Sequence, residues 1–387
     1  MEKVRVGIIG CGFTIGIAMA HVEGYKRVPD AELVAMYDKI PGRAAKFIEL
    51  HKIEGVKAVD DLEEFYSMVD AVSVCTPNFE HANLAIDAMN HGKHVIVEKP
   101  FSVNYEDGMR ALEESKKHPD LVAMTVFNYR EQVEVQQMKR IIDSGILGKI
   151  ISVRHIGGGG RMWDGERVFL EWRMQEKTSG TGSMADFGVH MLDLTDYLLH
   201  DKIGDYVKFN GMTSTLVKER YVIDENDVMG GKKGDEKAPV TNDDVATFSA
   251  VTESGTLVTF ETGRLVGSMQ MFEIAGDQGI VLRNNTLIPM GKIGLFDRSK
   301  PVAPGARRMP GFDIIDIDAD ILESRKGAGM LGHDGVLGEF IHCIKTGEKP
   351  VRDFRHGLYI QKLIDNFSKA AKTGETVEEK VTEAEIK

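Results

Sequence analysis

Two stretches of the 387-residue sequence combine residue types that can move protons and stabilise negative charge on oxygen. Lys99 lies in Glu98-Lys99-Pro100, directly after the apolar run His94–Val97. The run predicts a buried strand, and a side chain at the carboxyl end of a parallel strand points into the crevice where open α/β sheets bind ligands. Asp186 and His190 are four residues apart on a predicted helix. They share one face of it, where a carboxylate orients an imidazole and raises its basicity.

These three side chains suit the oxidation of a secondary alcohol. His190 is the predicted acceptor of the hydroxyl proton, Lys99 is the cation that stabilises developing alkoxide charge, and Asp186 holds a neighbouring hydroxyl. Two structural alternatives stay open. Lys99 would then be a solvated lysine at a strand end, and Asp186 with His190 would be an exposed helical ion pair.

A glycine-rich turn near the amino terminus is typical of dinucleotide binding. The apolar stretch Val4–Ile9 predicts a strand, Gly10, Gly12 and Gly16 follow it, and a helical stretch comes next. Glycines in such a turn let backbone amides approach a pyrophosphate at the amino terminus of the helix. The spacing is one residue longer than the usual fingerprint.

An acidic residue supports the same interpretation. The second predicted strand, Ala31–Tyr37, is followed by Asp38, where the fingerprint places the acid that binds the adenosine ribose hydroxyls. A carboxylate repels a 2′-phosphate, so NAD is favoured over NADP, although Lys39 and Arg43 keep NADP open. The alternative for Asp38 is an ordinary turn residue at the end of a strand.

The order of the predicted elements indicates two domains. Strands and helices alternate up to about residue 126, which predicts a parallel sheet with helical crossovers. Short strands separated by turns follow later and favour an antiparallel sheet with one open face. The predicted fold is α/β, with a doubly wound parallel Rossmann domain over 1–126 and an α+β domain over 127–387 built on a large, mostly antiparallel, open-faced sheet. The polar segments 224–244 and 375–387 are predicted to be a surface loop and a charged tail.

The composition excludes several classes of partner. A formal net charge of −12 argues against nucleic acid and membrane surfaces, because both require concentrated positive charge. The three cysteines, Cys11, Cys75 and Cys343, show neither a disulfide framework nor metal-ligand spacing, so no metal is expected. No signal peptide and no apolar run of membrane-spanning length are recognised, which predicts a cytoplasmic protein.

Several longer motifs carry a family resemblance. They are Gly7-Ile8-Ile9-Gly10-Cys11-Gly12, Cys75-Thr76-Pro77-Asn78 followed by His81, Gly92-Lys93-His94-Val95 leading to Glu98-Lys99-Pro100, Phe127-Asn128-Tyr129-Arg130, and Asp186-Phe187-Gly188-Val189-His190. In their order and spacing they resemble the Gfo/Idh/MocA family of sugar and polyol oxidoreductases. The resemblance implies a nicotinamide cofactor, a sugar or polyol substrate, and Lys99, Asp186 and His190 as the catalytic set.

Two groups of residues are predicted to bind the cofactor and the substrate. The cofactor-binding set is Gly10, Gly12, Phe13, Thr14, Ile15, Asp38, Arg43, Thr76, Pro77, Asn78, His81, Glu98 and Lys99. The substrate-binding set is Lys99, Asn128, Arg130, Arg154, Trp163, Trp172, Arg173, Asp186 and His190. Tryptophan faces stack on sugar rings, but large aromatic side chains also simply fill cores. His155 and His333 are considered for the pocket rim, with a buried structural role as the alternative.

The predicted function is the reversible, NAD-dependent oxidation of a secondary hydroxyl of a cyclic polyol, sugar or glycoside. One alternative is a redox-neutral enzyme that keeps its NAD and oxidises and then re-reduces the sugar, with glycoside cleavage or hydride exchange between sugars as the outcome. The other is a non-enzymatic protein that senses NAD or sugar, against which the intact set of Lys99, Asp186 and His190 argues. The open sheet face also predicts a homodimer or homotetramer.

Overall fold

The computed structural model describes residues 2–12, 16–162, 168–224, 232–265, 267, 269–300, 311–329 and 332–386. Strands and helices alternate along its first part. They are β1 (Val4–Ile9), α1 (Ile17–Tyr25), β2 (Ala31–Tyr37), α2 (Arg43–His51), β3 (Lys57–Val59), α3 (Leu62–Met68), β4 (Ala71–Val74), α4 (Asn78–Asn90), β5 (His94–Val97), α5 (Tyr105–Lys117) and β6 (Ala123–Thr125).

These six strands form one parallel sheet in the order β3-β2-β1-β4-β5-β6. Apolar side chains bury both faces of β4 and most of β5, as expected of central strands covered by helices. The doubly wound prediction is therefore confirmed. Because the strand order reverses between β1 and β4, the carboxyl ends of these strands border the crevice where such sheets bind ligands.

The remaining elements build a second, larger sheet and the helices that cover it. They are α6 (Val133–Asp143), β7 (Ile150–Gly158), α7 (Glu176–Ser179), α8 (Val189–Ile203), β8 (Tyr206–Ser214), β9 (Glu219–Ile223), β10 (Lys233–Pro239), β11 (Val245–Thr252), β12 (Leu257–Gly263), β13 (Met271–Gly276), β14 (Gly279–Asn284), β15 (Lys292–Asp297), β16 (Asp313–Asp316), α9 (Ala319–Ser324), α10 (His333–Thr346), α11 (Phe354–Thr373) and β17 (Val377–Val381). A π-helical turn, Met184–Gly188, leads directly into α8.

The second sheet has nine strands in the order β16-β15-β14-β13-β7-β12-β11-β8-β17. Only β7 and β12 pair in parallel, so the prediction of a mostly antiparallel sheet is confirmed. One face packs against helices, with Phe248, Phe260 and Phe367 in mutual ring contact. The other face carries exposed side chains that include Met212 and Leu257.

Two polar segments contain strands that we did not expect. Within 224–244, β10 pairs with β9 in a two-stranded antiparallel sheet, so the segment is not only a loop. Within 375–387, β17 pairs with β8 at the edge of the large sheet, so the tail is partly structured. Strand β10 is mainly exposed, and charged residues fill the middle of β17, which hides the alternation of apolar residues by which strands are recognised.

The two sheets are joined by elements from the end of the chain. Helix α10 packs against α1, and its Leu337 and Phe340 share a core with Val4 and Tyr25 of the first sheet layer. The division of the chain at residue 126/127 stays a prediction. The packing brings the carboxyl ends of β4 and β5 against the segment that begins the π-helical turn.

Candidate active site

Lys99 and Asp186, which come from different predicted domains, meet in the structure. Lys99 follows β5, and its Nζ donates to the backbone oxygen of Asp186 at 3.0 Å and to its Oδ1 at 3.1 Å. Both side chains are partly exposed, at 17% for Lys99 and 22% for Asp186. An ammonium group has three donors, so Lys99 keeps one for a further acceptor. The pair therefore combines a fixed cation with access to solvent or ligand.

The loop before the π-helical turn positions Asp186. The Gly182 amide donates to Asp243 Oδ1 at 2.6 Å, and Ser183 Oγ donates to Asp243 Oδ2 at 2.7 Å. A Cβ on Gly182 would lie 1.9 Å from the backbone oxygen of Asp243, so only glycine fits there. Asn78 Nδ2 donates to the backbone oxygen of Ser179 at 2.9 Å and thereby ties this loop to the end of β4.

Asp186 and His190 differ in their charge state near pH 7. Burial alone would raise the pKa of Asp186, but the charges of Lys99 and Arg173 outweigh burial and lower the pKa to about 2. Burial, followed by the Lys99 charge, lowers the pKa of His190 to about 3. Asp186 is thus an anion and His190 is neutral near pH 7. The Asp186 charge raises the pKa of His190, as we expected, but desolvation of the ring and the Lys99 charge outweigh it.

His190 is held by an aromatic neighbour. Its ring stacks on Tyr129 with 3.9 Å between the centroids and 7° between the planes. Its Nδ1 is buried and has no hydrogen-bond partner in the described part of the chain. Lys99 lies within electrostatic range of the ring, so the structure brings the lysine and the histidine into one region.

A cavity with about 520 Å³ of empty space opens beside Lys99. The predicted residues along its wall are Thr76, Asn78, Glu98, Lys99, Trp172, Arg173 and Asp186. The Arg173 guanidinium lies over the Trp172 ring, 4.1 Å from its centroid. Thr76 Oγ1 and Thr181 Oγ1 are buried without partners among the described residues, so the wall offers unused hydrogen-bonding groups.

Other predicted substrate residues, His190 among them, lie outside the lining of this cavity. Arg130 is buried and pairs with Asp193, and Arg154 pairs with Glu273 on the second sheet. Asn128 Nδ2 lies 3.5 Å from His333 Nδ1 in the buried layer below Lys99. Trp163, and Phe13, Thr14 and Ile15 of the cofactor set, lie outside the described residues.

The predicted cofactor residues surround the carboxyl ends of β1, β2 and β4. Asp38 accepts from the Cys11 amide at 2.8 Å and the Ile40 amide at 2.9 Å, and Arg43 lies 3.7 Å from its Oδ1. Pro77 immediately precedes α4. The His81 ring lies 2.9 Å from the backbone oxygens of both Thr76 and Pro100, and bridges the two strand ends.

Comparison with known proteins identifies the family. The family model described as "Oxidoreductase family, NAD-binding Rossmann fold" matches residues 4–126, and "GFO/IDH/MocA C-terminal domain" matches residues 135–282. Myo-inositol 2-dehydrogenase from Thermotoga maritima is 30% identical over 288 residues, which cover 73% of this chain and 75% of the relative. The chain belongs to the Gfo/Idh/MocA oxidoreductase family.

Two further comparisons show similarity over most of the chain. Levoglucosan dehydrogenase from Pseudarthrobacter phenanthrenivorans is 29% identical over 309 residues, which cover 73% of this chain and 74% of the relative. A solved structure of levoglucosan dehydrogenase in complex with NADH and levoglucosan superposes with a TM-score of 0.83 at 23% identity, and covers 99% of this chain and 100% of that one. At that identity the superposition shows a shared fold.

The residues present fit the NAD that the family's amino-terminal domain binds. A Cβ on Gly10 would lie 2.8 Å from the backbone of Cys75, and the φ of Gly10 is +101°, so this turn requires glycine. A Cβ on Gly12 or Gly16 would meet no described atom within 4 Å, which leaves open space beside the turn. Thr76 Oγ1 offers an unused hydroxyl at the end of β4.

None of the described helices has the length and apolarity to span a membrane.

Several residues of this Gfo/Idh/MocA site escaped the sequence predictions. Ile17, Ser179 and Thr181 line the cavity, and Tyr129 stacks on His190. Tyr129 stands inside the quoted Phe127-Asn128-Tyr129-Arg130 motif, so the motif itself could have pointed to it. No local pattern marks Ser179 or Thr181, because their role depends on how the loop folds against the first sheet.

Proposed function

We propose that this protein is an NAD-dependent dehydrogenase that oxidises a secondary hydroxyl of a cyclic polyol, sugar or glycoside. The observation that carries the proposal is the Lys99–Asp186 pair at the wall of a cavity, next to a turn that fits a dinucleotide. Charged donors and acceptors with unused capacity suit a substrate rich in hydroxyls, since each hydroxyl both donates and accepts. The names of the relatives, which act on inositol and levoglucosan, support this substrate class.

The proposed mechanism assigns one task to each residue. Bound NAD supplies the hydride acceptor. Lys99 donates its remaining N–H to the reacting oxygen and stabilises the alkoxide that develops there. His190, neutral near pH 7, accepts the hydroxyl proton as hydride leaves the carbon. Asp186 accepts a hydrogen bond from a neighbouring hydroxyl and fixes the orientation of Lys99.

The remaining predicted residues bind the two ligands. Gly10, Gly12, Arg43, Thr76, Pro77, Asn78 and Glu98 would line the dinucleotide from the glycine turn to the nicotinamide end, and His81 would hold two of these strand ends. Trp172 and Arg173 would contact the sugar, since their stacked pair offers both an apolar face and guanidinium donors. The structure gives protein partners to Arg130, Arg154 and Asn128. We therefore assign these three residues to the support of the site rather than to contact with the sugar.

Asp38 is proposed to select NAD over NADP. Its carboxylate stands at the end of β2 beside the glycine turn, held by two backbone amides. A 2′-phosphate would meet this negative charge, whereas ribose hydroxyls would donate to it. Asp38→Ala should lower the ratio of kcat/KM with NAD to kcat/KM with NADP by roughly tenfold or more, which equals about 1.4 kcal/mol. An unchanged ratio of the two coenzymes would contradict the assignment.

A substrate panel tests the proposed function. Levoglucosan, inositols, aldoses and simple glucosides are each incubated with the protein and NAD at alkaline pH, and NADH is followed by absorbance. Sustained NADH formation with at least one member is expected, and Lys99→Met serves as the inactive control. Turnover of a sugar without NADH accumulation would instead favour a redox-neutral reaction, and binding without any turnover would favour a sensor.

We also propose that the open face of the large sheet forms the subunit interface. Met212 and Leu257, on the non-adjacent strands β8 and β12, are 72% and 47% exposed on this face, and Met212 lines one depression together with Ile156 and Val245. Large apolar side chains on an otherwise polar face are typical of protein contact surfaces. Light scattering should give a homodimer or homotetramer, and Met212→Lys should shift it towards the monomer. A monomeric native protein would refute this interface.

A further inference from the structure

A buried carboxylate lies directly beside the proposed nicotinamide end of the site. Glu98 follows β5, is 4% exposed, and lines the same cavity as Lys99, Thr76 and Asn78. Its Oε1 lies 3.1 Å from His21 Nε2 and 3.3 Å from His333 Nε2. Its Oε2 accepts from the backbone amide of Lys99 at 3.0 Å. Three donors from three parts of the chain therefore converge on one carboxylate.

These donors keep Glu98 charged in spite of its burial. Burial alone would raise the pKa of Glu98, but the hydrogen bonds from His21 and His333, with the charge interactions of the same rings, outweigh it and bring the pKa well below its usual value. Burial lowers the pKa of His21, so this ring donates as a neutral imidazole. The ammonium of Lys99, the next residue along the chain, is hydrogen-bonded to Asp186. The wall of the cavity thus contains a buried carboxylate held by hydrogen bonds.

The same three side chains resemble a metal site, but the hydrogen bonds favour a metal-free cluster. His21, Glu98 and His333 bring their ligand atoms within 4.8 Å of one another. Asn128 Nδ2 lies 3.5 Å from His333 Nδ1 and can only donate to it. That contact leaves the ring proton on Nε2, which faces Glu98 as a donor rather than as a metal ligand.

We propose that Glu98 makes the site discriminate between the two redox forms of the cofactor and favour the oxidised form. The nicotinamide ring carries a positive charge in NAD⁺ and none in NADH. A buried anion attracts the charged ring and not the neutral one, and low polarity strengthens that attraction. The proposal rests on NAD as the cofactor and on the placement of its nicotinamide end beside Thr76 and Asn78. Its consequence for turnover is that reduced cofactor is held less tightly and leaves sooner.

Equilibrium binding without sugar tests the proposal. Dissociation constants of Glu98→Gln are measured for NAD⁺ by calorimetry and for NADH by fluorescence. We expect the constant for NAD⁺ to rise about tenfold and that for NADH to change less than about threefold. A tenfold change in their ratio corresponds to about 30 mV in the potential of the bound two-electron couple. An unchanged ratio would overturn the proposal.

Two further variants separate charge from structure. Glu98→Asp keeps the anion and should keep the ratio near that of the native protein. Asp38→Ala removes a carboxylate at the adenosine end, which is identical in both redox forms, so it should weaken NAD⁺ and NADH equally. If Glu98→Gln does not fold, Glu98→Ala removes the same charge and should shift the ratio in the same direction, and no shift there would refute the proposal. Since no sugar is present, a failure of the proposed dehydrogenase activity leaves this result unaffected.

Discussion

Two ion pairs formed by the same stretch of chain differ in how completely they are satisfied. Asp193 is 1% exposed and accepts from Arg130 Nε at 3.1 Å on each oxygen and from His356 Nε2 at 2.9 Å. The Arg130 guanidinium also lies over the rings of Phe127 and Tyr197, which shield the pair from solvent further. Asp186, seven positions earlier, pairs with Lys99 beside an open cavity whose threonine hydroxyls have no described partners.

The comparison shows that spare hydrogen-bonding capacity, rather than charge, distinguishes a site from a support. In both pairs a basic residue meets a carboxylate far along the chain, 87 positions away for Lys99 and 63 for Arg130, and the sequence predicted roles at the substrate for both basic residues. The Arg130 guanidinium is hydrogen-bonded to Asp193, whereas Lys99 retains one N–H donor and lines the cavity. Variants of the two pairs should therefore fail in different ways.

The largest effect is expected from Lys99→Met. Loss of the only proposed donor to the reacting oxygen should lower kcat by roughly a thousandfold, the scale seen when a preorganised oxyanion donor is removed. The dissociation constant of NAD⁺ should stay within about threefold of the native value. Steady-state kinetics with the best sugar of the panel and calorimetry with NAD⁺ give the two numbers, and near-native turnover would remove Lys99 from the mechanism.

Arg130→Met should act on stability instead. It leaves the buried carboxylate of Asp193 with too few positive partners, a change that typically lowers the free energy of unfolding by about 3–5 kcal/mol. Urea denaturation of Arg130→Met and Lys99→Met side by side makes the comparison direct, because the partly exposed Lys99 pair should cost less than about 1 kcal/mol. Equal losses in the two variants would break the distinction drawn between the pairs.

His155 tests the comparison further, because its ring has a nitrogen without a described hydrogen-bond partner and yet does not line the cavity beside Lys99. Its ring stacks on Phe272 with 4.1 Å between the centroids, and its Nδ1 has no partner in the described part of the chain. Burial, and then the Arg283 charge, lower the pKa of His155 to about 3. Such a ring takes up its proton only on unfolding between about pH 6.5 and pH 3, so it destabilises the fold as pH falls through that window.

His155→Gln should remove this pH dependence. Between pH 8 and pH 5 the native protein should lose about 2 kcal/mol more of its unfolding free energy than the variant. Denaturant titrations of both proteins at the two pH values measure the difference. KM for the sugar should be unchanged, and a marked rise in KM would place His155 in the site after all.

The smallest effect is expected from Thr181→Val, which removes an unpartnered hydroxyl at the cavity wall. KM for the sugar should rise by roughly fivefold, the worth of one hydrogen bond of about 1 kcal/mol, with little change in stability. Ser183→Ala is the matched control, because its hydroxyl donates to buried Asp243. That variant should lose about 1–3 kcal/mol of stability. A stable Ser183→Ala with a raised KM would reverse the assignment of the two hydroxyls.

Much of the fold followed from local patterns, whereas the partners of the charged residues did not. Alternating strands and helices predicted the parallel sheet, and Lys99 and Asp186, which the motifs singled out, line one cavity. Nothing near Arg130 in the sequence shows that its partner lies 63 positions away. The Glu98 cluster draws on residues 77 and 235 positions distant, and such long-range contacts are set by packing alone.

The hydrogen bond between Asn78 and Ser179 bears on the order in which the parts of the site are assembled during synthesis. The two residues are 101 positions apart, so the ribosome completes the whole first sheet before the loop that carries Ser179 exists. At that stage the ammonium of Lys99 has no Asp186 to donate to, because Asp186 is synthesised later still. Helix α10, which packs against α1, follows near the end of the chain, so the first sheet also gains part of its core only when synthesis is almost complete.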